Sequence, residues 1–65
     1  MTKTNQVRFY RRAWGLSQAE LADRIDVTIP TVRKIEQGNT NFSFSIALRL
    51  MKALEADFYE LWPNR

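Results

Sequence analysis

The stretch GLSQAELADRIDVTIPTVRKIEQG, residues 15–38, predicts two helices joined by a tight turn. Ser17 and Glu20 form a capping-box pattern, in which each side chain accepts a hydrogen bond from the other residue's backbone N–H, so a helix begins after Ser17. Its apolar stripe consists of Leu21, Ala22 and Ile25. Only the short stretch IDVT, of which Ile25 ends the first helix, leads from this helix to the next one. Because Asp26 can adopt the left-handed conformation there, we expect the two helices to meet at a steep angle.

The second helix of this pair can begin despite its proline. Thr28 suits the N-cap, and Pro30 then falls at the second helical position, where its missing N–H would have had no intrahelical partner. Val32 and Ile35 lie three residues apart and face the core, and a glycine follows the last turn. We therefore expect a helix over residues 29–37.

The rest of the sequence predicts three more short helices and offers few strand signals. A glycine ends the first helix, a serine caps the fourth, and Asp57 with Glu60 repeats the capping-box pattern before the fifth. The expected fold is all-α and occupies a single domain over residues 1–65. Its five helices cover about residues 5–14, 18–25, 29–37, 44–54 and 58–62.

The composition limits the functions open to the chain. Its 65 residues include no cysteine and no histidine, which excludes Cys- or His-ligated metal sites and catalysis by either residue. Its two glycines are too scattered to form a phosphate-binding loop. We therefore predict a protein that is not an enzyme and has no metal or cofactor. The composition also fits a reducing compartment, and neither a membrane span nor a signal peptide is predicted.

The charge is modest but unevenly placed. The net charge is +3; residues 1–12 hold four basic side chains and no acid, whereas residues 55–60 hold three acids and no base. A one-sided basic surface facing a polyanion is the functional interpretation. At this net charge an ordinary solvated surface is the simpler explanation, so the charge only supports arguments made from other residues.

The sequence GLSQAELADRIDVTIPTVRKIEQGNTN, residues 15–41, resembles the helix-turn-helix of the Cro/repressor or XRE-type DNA-binding domains. The resemblance extends over about residues 7–62 and includes the closing KAL and EL patterns. Asp26 and Glu55 stand where the family usually has glycine, and Phe42 stands where proline is usual. The resemblance implies a lambda-repressor-like domain that binds double-stranded DNA.

The helix over residues 29–37 is the expected DNA-reading element. With Val32 and Ile35 inward, a 100° step per residue turns the Arg and Lys side chains outward, where they can reach guanine O6 and N7 in the major groove. The resemblance assigns base reading to Ile29, Pro30, Arg33 and Lys34. For Ile29, a merely solvated helix face is an equally good explanation.

Phosphate contacts are expected at the ends of the helices. The resemblance assigns one to Gln18, at the start of the second helix, where free N–H groups and the helix dipole favour an anion. We expect further phosphate contacts from Thr28, Gln37, Asn39 and Asn41. For the two asparagines, turn formation alone is an equal alternative.

The resemblance also implies an ion pair and a homodimer. It pairs Arg11, on the inward face of the first helix, with Glu36 beside the DNA-binding face. It maps the two-fold contact onto Phe44, Ile46, Ala56, Phe58 and, less directly, Trp62. Some of the C-terminal apolar residues should instead complete the core, Leu61 and Tyr59 especially. Phe9 and Trp14 stand where the family usually has polar residues, and either extend the core or form an exposed contact.

We therefore expect a cytoplasmic, nucleoid-associated regulator of prokaryotic or phage type. It would bind a near-palindromic operator as a homodimer and repress transcription. The alternative is an antitoxin-type interaction module that holds a protein partner and binds DNA only secondarily. Such modules usually carry an extra segment for the partner, whereas the five helices consume nearly the whole sequence, which favours the regulator.

Overall fold

The computed structural model describes residues 5–63 as five helices, with no strand in that part of the chain. In chain order they are α1, Val7–Ala13; α2, Gln18–Ile25; α3, Ile29–Glu36; α4, Phe44–Leu54; and α5, Phe58–Leu61. The prediction of an all-α fold is confirmed. Residues 1–4 and 64–65 of the predicted domain lie outside the described residues. No helix within residues 5–63 combines the length and the apolar character that crossing a membrane requires.

Helix α1 is shorter than the predicted range of residues 5–14. The side-chain oxygen of Asn5 accepts a hydrogen bond from the backbone N–H of Val7 at 3.0 Å, and its Nδ2 donates to the carbonyl of Ile35 at 2.7 Å. Asn5 therefore belongs to the turn before α1 and ties that turn to the end of α3. The other four helices differ from their predicted ranges by at most one residue at an end.

The turn between α2 and α3 follows from local hydrogen bonding. Both bonds of the Ser17–Glu20 capping box form, at 2.8 and 3.0 Å, and fix the start of α2. Asp26 ends α2 in the left-handed conformation with φ 60°. Thr28 occupies the N-cap of α3, as predicted, although its side chain makes no capping hydrogen bond. Its hydroxyl instead lies 2.9 Å from the hydroxyl of Thr31.

The core lies where α2, α3 and α4 meet. Helix α2 packs on both α3 and α4, α1 packs on α3 and α4, and α5 packs on α4. The largest fully buried side chains are Val7, Leu21, Ile25, Val32, Ile35, Leu50, Leu54 and Leu61. Burying one such side chain contributes about 1.5–3 kcal/mol, so this cluster is the main source of stability.

The aromatic residues at the C-terminal end divide between the core and the surface. Trp62 is partly buried, with its ring centroid 5.7 Å from that of Phe42 and 5.3 Å from that of Phe58. Leu61 is fully buried, as expected, but the expectation that Tyr59 completes the core is wrong, because its side chain is 71% exposed. Two residues correspond to about 200° around a helix, so Tyr59 and Leu61 cannot both face inward.

Trp14 and Phe9 both lie at the surface, but only Trp14 has a clear structural role. Trp14 is half exposed, and its Nε1 donates to the carbonyl of Leu54 at 2.8 Å. This bond joins the C-terminal ends of α1 and α4. Phe9 is 62% exposed and makes an edge-on contact with Tyr10, so it does not extend the core.

Candidate nucleic-acid interface

Helix α3 presents a basic face outward and an apolar face to the core. Val32 and Ile35 are buried, whereas all four predicted base-reading residues are exposed: Ile29, Pro30, Arg33 and Lys34. The only acid in this eight-residue helix is Glu36, and its side chain is fully buried. The outward face therefore carries cations and neutral groups but no negative charge. Such a face suits the edges of bases in the major groove.

The Glu36 carboxylate accepts hydrogen bonds from three side chains. Arg11 donates to it through Nε at 2.5 Å and through Nη2 at 3.3 Å. Nε2 of Gln18 donates at 3.1 Å, and Nε of Arg8 makes a longer contact at 3.4 Å. Arg11 also donates through Nη1 to the carbonyl of Leu16 at 2.8 Å. We call Arg8, Arg11, Gln18 and Glu36 the Glu36 network; it joins α1, α2 and α3.

The pKa of Glu36 reflects two opposing effects. Burial of the carboxyl raises its pKa, because the charged form loses its hydration. The hydrogen bonds from Arg11 and Gln18, together with the positive charge of Arg11, outweigh burial and hold the pKa below its ordinary value of 4.5. Glu36 is therefore ionised at neutral pH and neutralises the buried guanidinium of Arg11.

The Glu36 network occupies the side-chain amide of Gln18, which was predicted to contact a phosphate. The amide nitrogen of the side chain is engaged by Glu36, so the side chain is fixed along the α2–α3 junction. The backbone N–H groups of Gln18 and Ala19 open α2 and have no acceptor among the described residues. Free N–H groups at a helix N-terminus suit an anion. An anion here would therefore meet backbone N–H groups beside a side chain that is already oriented.

The other predicted phosphate contacts lie at the two ends of α3. Thr28 and Gln37 are the N-cap and C-cap residues of that helix, and both are exposed. Asn39 and Asn41 are exposed in the following turn, where the side-chain oxygen of Asn39 accepts from the backbone N–H of Asn41 at 2.6 Å. Asn39 thus takes part in the turn chemistry that the sequence left as an alternative.

The predicted dimer residues are not all available to a partner. Phe44 is 72% and Phe58 is 45% exposed. Ile46 and Trp62 are partly buried against the core. Ala56 is 7% exposed within the core cluster, so its side chain offers almost no surface.

Two further apolar residues are exposed on α4 and α5: Leu48, which sequence reasoning missed, and Tyr59, which it placed in the core. Leu48 is 43% exposed, and Tyr59 is 71% exposed. The spacing of Phe44 and Leu48 places them on one face of α4, and this spacing could have identified Leu48. We call Phe44, Leu48, Phe58 and Tyr59 the α4–α5 apolar surface.

Sequence reasoning also missed Arg8, whose contact with Glu36 spans 28 positions in the chain. As for other chemistry, residues 5–63 contain no group of three His, Cys, Asp or Glu side chains placed to hold a metal ion.

The comparisons with known proteins agree with this geometry. The helix-turn-helix family model matches residues 7–61, and the chain belongs to this family. The chain is also 37% identical over 54 residues to an uncharacterized HTH-type transcriptional regulator of Methanothermobacter thermautotrophicus (strain Delta H). That alignment covers 83% of this chain and 78% of the relative. The expected resemblance to XRE-type helix-turn-helix proteins is therefore confirmed.

Proposed function

We propose that the chain is a sequence-specific DNA-binding regulator of transcription, acting as a repressor on a near-palindromic operator to which it binds as a homodimer. Helix α3 enters the major groove. Base edges are contacted by Ile29, Pro30, Arg33 and Lys34. Backbone phosphates are contacted at the ends of α2 and α3, by Gln18, Thr28, Gln37, Asn39 and Asn41.

The observation that carries this proposal is the charge on the outward face of α3. Arg33 and Lys34 are exposed, whereas Glu36 is buried and paired with Arg11. If Glu36 faced outward, its carboxylate would repel phosphates and the acceptor groups of guanine. Its burial leaves a face that only attracts the polyanion. Membership of the helix-turn-helix family supports the same orientation of α3.

Repression, rather than activation, is proposed on mechanistic grounds. A small dimer that covers one face of a promoter can block the polymerase by occupancy alone, without any further contact. The two-fold contact is proposed at the α4–α5 apolar surface. It would set the two α3 helices about 34 Å apart, which is one turn of DNA.

The test is selection of bound duplexes from a random DNA pool, followed by affinity measurements on the selected sequences. We expect a two-fold-related sequence, and a plot of log affinity against log salt with a slope of about −0.9 for each phosphate contacted. Lys34→Ala should weaken binding by about 1–3 kcal/mol and relax the preference at one base pair. Lys52→Ala, on α4, is the matched control and should leave the preference unchanged. Equal binding to every sequence, or a flat salt response, would refute the proposal.

A second candidate function is an antitoxin-type module that holds another protein. The α4–α5 apolar surface favours it, because large exposed apolar groups commonly mark protein contacts. Purification of the tagged chain from its native cells distinguishes the two functions. A foreign protein recovered at one copy per chain would support the interaction module, whereas recovery of the chain alone as a dimer supports the regulator.

A further inference from the structure

The depression between α1 and the end of α3 has basic and aromatic walls. Arg8, Phe9 and Arg12 line it from α1, and Gln37 lines it at the C-cap of α3. Arg8 and Arg12 are four residues apart, so they lie one above the other on the same face of α1. We call this depression the α1 groove. It adjoins the outward face of α3 at Gln37, although no contact with DNA has been assigned to α1.

Arg8 is held at one nitrogen, and its terminal nitrogens have no partner within residues 5–63. Its Nε contacts Glu36, and its side chain is 52% exposed. Its two Nη groups donate to no other described residue. A guanidinium fixed at one nitrogen can still present paired N–H groups to the oxygens of a phosphate. Arg8 is thus an oriented donor, whereas Arg12 makes no side-chain hydrogen bond or ion pair within residues 5–63.

The electrostatics of the groove favour an anion. Glu36 is the one acid among its described lining residues, and the buried carboxylate of Glu36 is shared by the guanidinium groups of Arg8 and Arg11. Two positive charges on one negative charge leave a surplus of one positive charge. Arg12 adds a second positive charge to the same groove. The carboxylate therefore orients a cation without cancelling the attraction for phosphate.

We infer that the α1 groove binds the DNA backbone beside the end of α3. Arg8 and Arg12 each contact a phosphate, and the exposed ring of Phe9 packs against the deoxyribose between them. The apolar wall distinguishes this ligand from a free anion, because a small anion requires only the cations. The inference rests on the proposed function, and it makes α1 a third DNA-contacting helix beside α2 and α3.

The experiment compares salt dependence in matched charge variants, using the duplex selected by the wild-type protein. Affinity is measured across a series of salt concentrations for the wild type, Arg8→Gln, Arg12→Gln and Arg24→Gln. Arg24 is the control, because it is exposed and lines a different depression with Arg49 and Lys52. We expect Arg8→Gln and Arg12→Gln each to make the slope less steep by about 0.9, and to weaken all selected sequences by similar factors. Arg24→Gln should keep the wild-type slope.

The outcomes separate this inference from the proposed function. The α1 groove does not contact DNA if the wild type binds its selected duplex while Arg8→Gln and Arg12→Gln show the same slope of log affinity against log salt as Arg24→Gln. If the wild type itself shows no sequence preference, the proposed function fails first. A separate experiment titrates the protein with inorganic phosphate in the absence of DNA and monitors binding by NMR. Phosphate binding that Arg8→Gln abolishes, without any change in the DNA slope, would overturn the inference in favour of a small-anion site. Thermal melts confirm that each variant is folded in the assay.

Discussion

Removing one partner of the Arg11–Glu36 pair should destabilise the whole domain. Glu36→Gln keeps the shape of the side chain but removes its charge, and leaves the guanidinium of Arg11, which is 7% exposed, without a counter-charge. Arg11→Met instead removes the cation and leaves the fully buried carboxylate of Glu36 without a counter-charge. Breaking a buried pair in this way costs roughly 3–5 kcal/mol. At about 0.05–0.15 kcal/mol per residue, a chain of this length has only roughly 3–10 kcal/mol of stability in total.

The assay is thermal unfolding followed by circular dichroism at neutral pH. For a domain of this size, each kcal/mol lowers the midpoint by roughly 4–8 °C, so we expect a fall of more than about 12 °C or a chain that is already unfolded. Arg8→Gln is the matched control, because it removes an arginine from the same carboxylate at a half-exposed position. Its effect should stay below about 1 kcal/mol. Unchanged midpoints for Glu36→Gln and Arg11→Met would show that the pair carries no stability, which would refute the reasoning.

Three further predictions concern acid stability, the end of α4 and the proposed dimer. Folding lowers the pKa of Glu36, so its ionised carboxylate stabilises the fold fully above the ordinary pKa of 4.5, and this stabilisation is lost as the pH falls through the folded pKa. Glu36→Gln should therefore remove that part of the pH dependence of the melting midpoint. Glu55 caps α4 at φ 51°, so Glu55→Gly should stabilise the fold by up to about 1 kcal/mol in urea melts, and by more than Asp26→Gly, because aspartate tolerates that conformation better. Phe44→Asp should yield a folded monomer in sedimentation, because Phe44 is 72% exposed and an acid at the first position of α4 is favourable. A variant that remains dimeric would exclude the α4–α5 apolar surface as the dimer contact.

The features predictable from sequence are those set by neighbours in the chain. Ser17 and Glu20 are three residues apart, and Val32 and Ile35 share a face by helical geometry alone, so their roles follow from spacing. Asp26 in the left-handed conformation belongs to the same class, because so short a connection leaves few alternatives. The bounds of α2 and α4, the inward face of α3 and the outward position of Lys34 are therefore predictable from the sequence.

The features that sequence reasoning missed depend on contacts distant in the chain. The Nε1 of Trp14 meets a carbonyl 40 residues away, and Gln18 meets Glu36 across 18 residues. Neither partner can be inferred from local periodicity, since both depend on how the helices pack. Tyr59 was misplaced for a different reason. Helix α5 has four residues, which is too few for an amphipathic pattern to indicate which side chain faces inward.

The burial of Glu36 links stability to the charge that α3 presents. The helical geometry that places Arg33 and Lys34 outward also places Ile35 and Glu36 inward. The carboxylate of Glu36 can therefore be buried only if a cation in the core pairs with it. Arg11 provides that cation. Replacing the pair with apolar residues, as in Arg11→Met with Glu36→Leu, can restore stability, because well-packed apolar groups often substitute for a buried ion pair at little cost. The same replacement releases Gln18 and Arg8 from the carboxylate that orients them. A double variant that is as stable as the wild type, yet binds the selected duplex more weakly, would show that the pair also organises the side chains proposed to contact DNA.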